Sequence, residues 1–272
     1  MFAVLETEKY KKGLVGYFKR LFDNGEPVMS YRTVKGAVPF IILKMKETSR
    51  GVDWGEVCNS TGVCAQRLLL SKDITIPKGL GVCRFKPTIY RCIPIFNNMV
   101  ETIRLMNTKK KDINVTVLDK SGALSEKIDE LLDYVRHITV LTDCTGEYKT
   151  ASKRAMNNYG AAIVINDYET EEISDSIVFA DKYDINRMRN CKAVFCAENE
   201  AVFQNVIYGM DIEPDADVAE MKPQQIETYD FVAALYEFNN FKRAGNYAFK
   251  KMILDNAELT PDELSIRLAD II

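Results

Sequence analysis

The sequence predicts an α/β protein: a doubly wound, mostly parallel sheet in the middle of the chain, preceded by a smaller α+β lobe and closed by C-terminal helices. Three observations predict it. Between residues 112 and 198, five short apolar runs (113–118, 138–141, 161–165, 176–180 and 193–197) alternate with segments of helical character. A parallel crossover has to travel back over the sheet, so this alternation implies parallel strands covered on both faces. Residues before 107 mix helical and hairpin-like patterns, and residues after 213 carry mainly helical periodicity. With the polar run 107–111 as a linker, the expected domains are 1–110, 111–213 and 214–272.

Taken in order, residues 2–5 read as a short strand. Residues 8–22 place Leu14, Tyr17, Phe18, Leu21 and Phe22 on one helical face, and Asp23-Asn24-Gly25 stops that helix. The runs 29–34 and 38–45 are strand-like, and Lys35-Gly36 between them suits the tight reversal of a hairpin. Pro39 cannot donate to a ladder, which places it on an edge strand or at a strand's first residue. Residues 50–87 read as irregular, punctuated by glycine and proline, with Trp54 as a plug for the lobe's core or, as the alternative, lining a site with the Asn59 to Gly62 turn and Arg67. Residues 89–106 return to helical spacing, with Ile95, Met99, Ile103 and Met106 on one stripe.

In the central stretch the strand 113–118 is followed by Ser121-Gly122 and then by Leu124, Ile128, Leu131, Leu132 and Val135 at helical spacing. After the second strand, Thr145 can cap a helix running to Tyr159, and Gly160 is free to end it in the left-handed conformation. Ligands of such sheets bind outside the carboxyl ends of the strands, where the strand order reverses. That rule selects Asp119, Lys120, Ser121 and Gly122 after the first strand, and Thr142, Asp143 and Cys144 after the second. It adds Asn166 and Asp167 after the third, Asp181 and Lys182 after the fourth, and Glu198 and Asn199 after the fifth. Asp119, Ser121, Gly122, Thr142, Asp143 and Asn166 are the candidate ligand-binding residues. Strand ends are also polar simply because they exit into water.

Residues 115–135 and 138–159 resemble the opening of a Rossmann domain, similar to that of the two-domain dehydrogenases of the shikimate and glutamyl-tRNA reductase kind, in which a dissimilar first lobe precedes the nucleotide domain. The resemblance implies NAD or NADP as cofactor and a small carboxylated or amino-acid-like substrate. Those enzymes carry Gly-x-Gly-x-x-Gly after the first strand, and the glycines fall on Asp119, Ser121 and Leu124. Asp119 puts a carboxylate near a site meant for a pyrophosphate, Ser121 adds a side chain where backbone must approach phosphate, and Leu124 crowds the helix against the strand. Gly122 recovers part of the turn after a one-residue shift, and Asp143, about 20 residues on, is placed to bind a ribose hydroxyl. The lysine that follows a proline in the shikimate-type first lobe is echoed by Pro39 with Lys44 or Lys46, at a different spacing. The expected reading is therefore a non-catalytic or divergent member that uses no cofactor and binds a small molecule or a protein partner. An NAD(P)-dependent oxidoreductase is one alternative, and a structural or assembly protein dimerising through its C-terminal helices is another.

Bulk properties narrow the classes further. A chain of 272 residues, 47% hydrophobic and 28% charged, is globular material. Its net charge of -3 arises from 36 basic and 39 acidic residues that are interspersed, so no basic field draws in nucleic acid. Apolar runs such as 37–43 are too short to span a bilayer, and with no signal-peptide pattern the expectation is cytoplasmic. Of the seven cysteines, the set Cys58, Cys64, Cys83 and Cys92 lacks zinc-ligand spacing, and Cys83, Cys92, Cys144, Cys191 and Cys196 sit among apolar or strand-like neighbours, as reduced buried thiols do. His137, the lone histidine, precedes the second strand, at the end of the sheet opposite the crevice, and no catalytic triad or phosphate-binding P-loop is present. Beyond the centre, 206–212 adds a sixth strand, 224–238 is helical and 241–254 continues as helix. Thr260-Pro261-Asp262-Glu263 forms a capping box. It starts a last helix whose Leu264, Ile266, Leu268 and Ile271 dock on their own chain or, as the alternative, in a homodimer.

Overall fold

The computed structural model describes residues 1–9, 26–34, 39–47, 51–86, 91–106, 113–169, 173, 177–188, 190–198, 204–214, 216–238 and 247–271. The expected helix at 8–22 and the reversal at 35–36 lie outside them, apart from Glu8, which ends a strand, and Lys9, which follows it. The chain forms two compact units, Met1–Thr88 with Pro214–Gly245, and Ile89–Glu213 with Asn246–Ile272. These boundaries differ from the expected 1–110, 111–213 and 214–272, because each unit is completed by chain that returns to it from beyond residue 213.

The first unit is built on β1 (Ala3–Glu8), β2 (Val28–Arg32), β3 (Phe40–Lys46) and β4 (Leu68–Leu69), in the order β2-β3-β1-β4. β2 and β3 pair antiparallel as the hairpin pattern predicts, while β1 runs parallel to both β3 and β4. β3 starts one residue after Pro39, so the proline costs no ladder bond. The segment read as irregular contains α1 (Trp54–Thr61) and a 3-10 helix, Gly62–Arg67. Asp53 decides this locally, since its carboxylate accepts the Glu56 N–H at 3.1 Å and caps α1. Trp54 packs partly buried against the cluster of Ala3, Leu5, Ile41, Leu43 and Val57, as a core plug should.

The opposite face of this sheet is aromatic. Phe2 stacks on Phe40 at 5.3 Å between centroids, and both meet Phe231 edge-on. Phe231 lies on α6 (Thr228–Phe238), which follows the short α5 (Ala216–Met221). The short β4 leaves Thr7 of β1 without a strand partner on that side. The Gln225 side chain takes the place of the missing strand, accepting the Thr7 N–H at 3.0 Å and donating to its carbonyl.

The second unit carries β5 (Asn114–Leu118), β6 (His137–Leu141), β7 (Ile163–Asn166), β8 (Ile177–Lys182), β9 (Ala193–Glu198), β10 (Val206–Glu213), β11 (Ala248–Leu254) and β12 (Ala257–Leu259). They form one sheet in the order β12-β11-β10-β9-β8-β5-β6-β7. β5 to β10 are mutually parallel where they pair, and their order is that of the classic doubly wound sheet, 3-2-1-4-5-6, with the reversal between β5 and β8. The helices are α2 (Ile93–Leu105), α3 (Thr145–Tyr159), α4 (Ile185–Met188) and α7 (Pro261–Ala269). On α2, Ile95, Met99, Ile103 and the following Met106 are all buried, as the stripe predicts. α7 has its capping box, and Leu264 and Leu268 are buried while Ile266 faces outward.

Two expectations are corrected. Residues 248–254, read as helix, are the strand β11, because β10 offers an antiparallel partner from Tyr208 to Glu213 and β12 hydrogen-bonds its far side. β12 reaches only as far as Met252. Beyond it, Asn98 of α2 serves as the missing strand: its amide accepts the Phe249 N–H at 2.7 Å and donates to the Phe249 carbonyl at 2.8 Å.

The second correction concerns the helix expected after Gly122. Leu124, Ile128, Leu131, Leu132 and Val135 are buried as predicted, yet the backbone there is a run of turns with one 3-10 helix, Ile128–Leu131. Its bonds mix three- and four-residue spacing, from Ser125 N–H to Gly122 O and from Ile128 N–H to Leu124 O among others. Among the cysteines, Cys83 is exposed and Cys144 half-buried, contrary to the uniformly buried expectation. Among the described residues no helix is long and apolar enough to cross a membrane.

Candidate functional site

The carboxyl ends of β5, β6, β7 and β8 bring the candidate residues together. Asp119 leaves β5 and is wholly inaccessible to solvent. Its Oδ2 accepts the Leu124 N–H at 2.8 Å and the Tyr148 hydroxyl at 2.7 Å, and its Oδ1 accepts the Ser121 hydroxyl at 3.0 Å. A buried carboxylate needs several donors to replace its lost hydration, and this turn is folded to supply them. The Leu124 N–H belongs to the turn whose amides would receive a pyrophosphate in a dinucleotide-binding protein. Here it is occupied by the chain's own anion.

Gly122 is required by this geometry. Its φ is +74°, and a Cβ added there would stand 2.9 Å from the Cβ of Cys144. The first and second strand ends are therefore in van der Waals contact, with the Cys144 thiol also 3.5 Å from the Lys120 carbonyl. Burial raises the Cys144 thiol, helped by the charges of Glu147, Asp119 and Asp143, which disfavours the thiolate a nucleophile would need.

At the end of β6, Thr142 is buried. Its hydroxyl accepts the Cys144 N–H at 3.0 Å and its own N–H donates to the Asn166 carbonyl at 3.1 Å. Thr142 is thus a structural joint between β6 and β7. Asn166 contributes its backbone to that joint and exposes its side chain. Asp143 is half exposed and pairs loosely with Lys120, Nζ to Oδ2 3.6 Å, a contact worth about 1 kcal/mol or less at that exposure.

Tyr148, Tyr168 and Arg187 were not singled out by the sequence. Tyr148 lies on α3 with Ala151 and Ala155, the three buried residues of an otherwise polar helix. That spacing of 3 and 4 was the signal available, although nothing in it announced the bond to Asp119. Burial, the Asp119 charge and the bond to it push the Tyr148 phenol well above its ordinary range. The Cys92 thiol, at the start of α2, is likewise raised, by burial first and then by Asp181 and Asp119. Tyr168, just past β7, has the Lys120 ammonium 5.2 Å and the Arg187 guanidinium 5.4 Å from its ring centre, and Arg187 also donates to its carbonyl at 2.7 Å.

The mouth of the sheet therefore presents Lys120, Asp143, Tyr168 and Arg187, charges of both signs around an aromatic ring, above a buried carboxylate that is already satisfied. Among the described residues no group of His, Cys, Asp or Glu side chains is arranged to hold a metal. His137 begins β6, exposed and at the opposite end of the strands. In the first unit, Lys44 forms an ion pair with Glu6 at 2.9 Å.

No protein-family model matches the chain, and no curated protein is similar to it. Among solved structures it is similar to L-tryptophan dehydrogenase from Nostoc punctiforme, with 11% identity over 99% of this chain and 87% of that one and a TM-score of 0.36. Likeness at that level carries no argument about fold family or activity. The α/β assignment stands on the strand order itself.

Proposed function

We propose that this chain is a divergent, non-catalytic Rossmann-like protein that binds a small polar ligand at the carboxyl ends of β5, β6 and β8, and that it holds no dinucleotide pyrophosphate in its first turn. One observation carries the reading: the Asp119 carboxylate accepts the Leu124 N–H, the donor a phosphate would otherwise use. A second anion there would compete with the buried Asp119 carboxylate for the same donor and meet its like charge at close range, without solvent to screen it. The ligand's class is read from the mouth of the sheet, where Lys120, Asp143 and Arg187 around Tyr168 suit a small molecule bearing both charges.

Isothermal calorimetry with NAD, NADH, NADP and NADPH tests it. The expected result is no saturable heat up to millimolar cofactor, and micromolar binding of any of the four sinks the proposal. The NAD(P)-dependent oxidoreductase reading is favoured by one observation, the half-exposed Asp143 whose loose partner Lys120 leaves it able to take a ribose hydroxyl. It requires that Asp143→Ala weaken cofactor binding while the circular dichroism spectrum stays unchanged.

A further inference from the structure

Strand β2 stands at the edge of the first unit's sheet, and among the described residues no strand pairs with its outer side. Four of its five residues are exposed, including Val28 at 62%, Met29 at 42% and Tyr31 at 63%. Edge strands are normally blunted by lysine, proline or a bulge. Within β2 there is no lysine, proline or bulge, and the guards lie at its two ends, Pro27 just before it and Arg32 as its last residue.

The direction of its free backbone groups follows from the neighbouring ladder. The Ile41 N–H donates to Phe2 O of β1 at 3.1 Å. Backbone groups alternate sides along a strand, so Phe40, Ile42 and Lys44 turn theirs toward β2. In the observed register those residues face Arg32, Ser30 and Val28. Met29 and Tyr31 therefore point their N–H and C=O groups outward.

We infer that β2 pairs antiparallel with β2 of a second copy of this chain, across a two-fold axis through Ser30. In that register Met29 of each copy faces Tyr31 of the other as a hydrogen-bonded pair, so all four outward N–H groups and all four carbonyls are satisfied. The exposed thioether and phenol rings cover one another on the same face. Val28 lies opposite Arg32, and Glu26 lies diagonal to the second copy's Arg32 on one face, which matches opposite charges at both ends of the contact. Centring the pair on Met29 instead sets Pro27 against Tyr31, and proline has no N–H to give. The self-complementary order of Glu26, Met29, Tyr31 and Arg32 thus selects one isologous register.

Sedimentation equilibrium of the full chain across the micromolar range is expected to give twice the 30.9 kDa chain mass. Tyr31→Lys, at an exposed position whose backbone makes no bond within the unit's own sheet, is expected to sediment as a folded monomer. Ser30→Cys is expected to yield, on mild oxidation, a cross-linked peptide joining residue 30 to residue 30, identified by mass spectrometry against the protein's own seven cysteines. A wild-type chain that stays monomeric overturns the inference. So does a dimer that survives Tyr31→Lys and forms no 30-to-30 cross-link.

Discussion

The two crossovers that leave the adjacent strands β5 and β6 differ in the opposite sense to their hydrophobic patterns. The first carries five buried apolar residues at helical spacing and forms turns with a single 3-10 helix. The second is strongly polar, buries only Tyr148, Ala151 and Ala155, and forms a regular helix of 15 residues that ends on Gly160 with φ +62°. Spacing records which side chains face the core, whereas competition for backbone groups decides whether the chain coils between them. In the first crossover the Leu124 N–H is held by Asp119, and the Ser125 carbonyl accepts from Arg154 at 3.0 Å, whose guanidinium also pairs with Asp129. An α-helix needs that carbonyl for the N–H of residue 129. In the second crossover Cys144, at the N-cap, makes no side-chain bond to the first-turn amides.

Removing the competitor tests this contrast most severely. Asp119→Ala strands the Leu124 N–H and the hydroxyls of Tyr148 and Ser121, and a loss of about 3–5 kcal/mol is expected from urea unfolding at unchanged slope. A loss below 1 kcal/mol would show that the carboxylate does not organise the turn. Gly122→Ala adds a methyl group at positive φ and against the Cys144 Cβ, and about 2 kcal/mol is expected. Because the collision is with Cβ, Cys144→Ala should not relieve it. Full rescue by that second change would place the contact on the sulfur instead.

The smallest effect belongs to the far partner. Tyr148→Phe removes one hydrogen bond to Asp119 and should cost about 1–2 kcal/mol at neutral pH. Its sharper signature is alkaline. The native phenol is raised above its ordinary value near 10, so the stability it contributes is fully present below pH 10 and is lost as pH rises through the native value. The wild-type unfolding free energy should fall with pH above 10 more steeply than that of the variant. Parallel curves would assign the alkaline loss to the raised thiols Cys92 and Cys144.

The same contrast explains what the sequence revealed. All six parallel strands of the large sheet were legible, because branched residues bounded by polar ones carry their own signal, and the carboxyl-end rule then located the mouth of the sheet without knowledge of its geometry. Asp119 was singled out as a carboxylate in the phosphate turn, and the structure adds its three donors, the Leu124 N–H and the Tyr148 and Ser121 hydroxyls. Long-range partners were not legible. Tyr148, 29 residues from Asp119, and Gln225, 218 residues from Thr7, are chosen by tertiary packing that no local window contains. Strand β11 was misread for the same reason, since residues 248–254 alternate too weakly to outvote a helical count, and only β10 and Asn98 fix them as a strand.

The Asn98 amide also sets a timetable. Its partner Phe249 lies 151 residues downstream, so during synthesis the helix bearing Asn98 is made long before the strand it completes. At roughly 5–20 residues per second, the ribosome needs some 8–30 seconds to deliver that strand. Until residues 246–272 emerge, the outer edge of β10 is uncovered and Asn98 has no ladder to finish. The second unit therefore closes as a late event in the chain's history, and a ribosome stalled before residue 246 would carry a nascent sheet with an open, sticky edge.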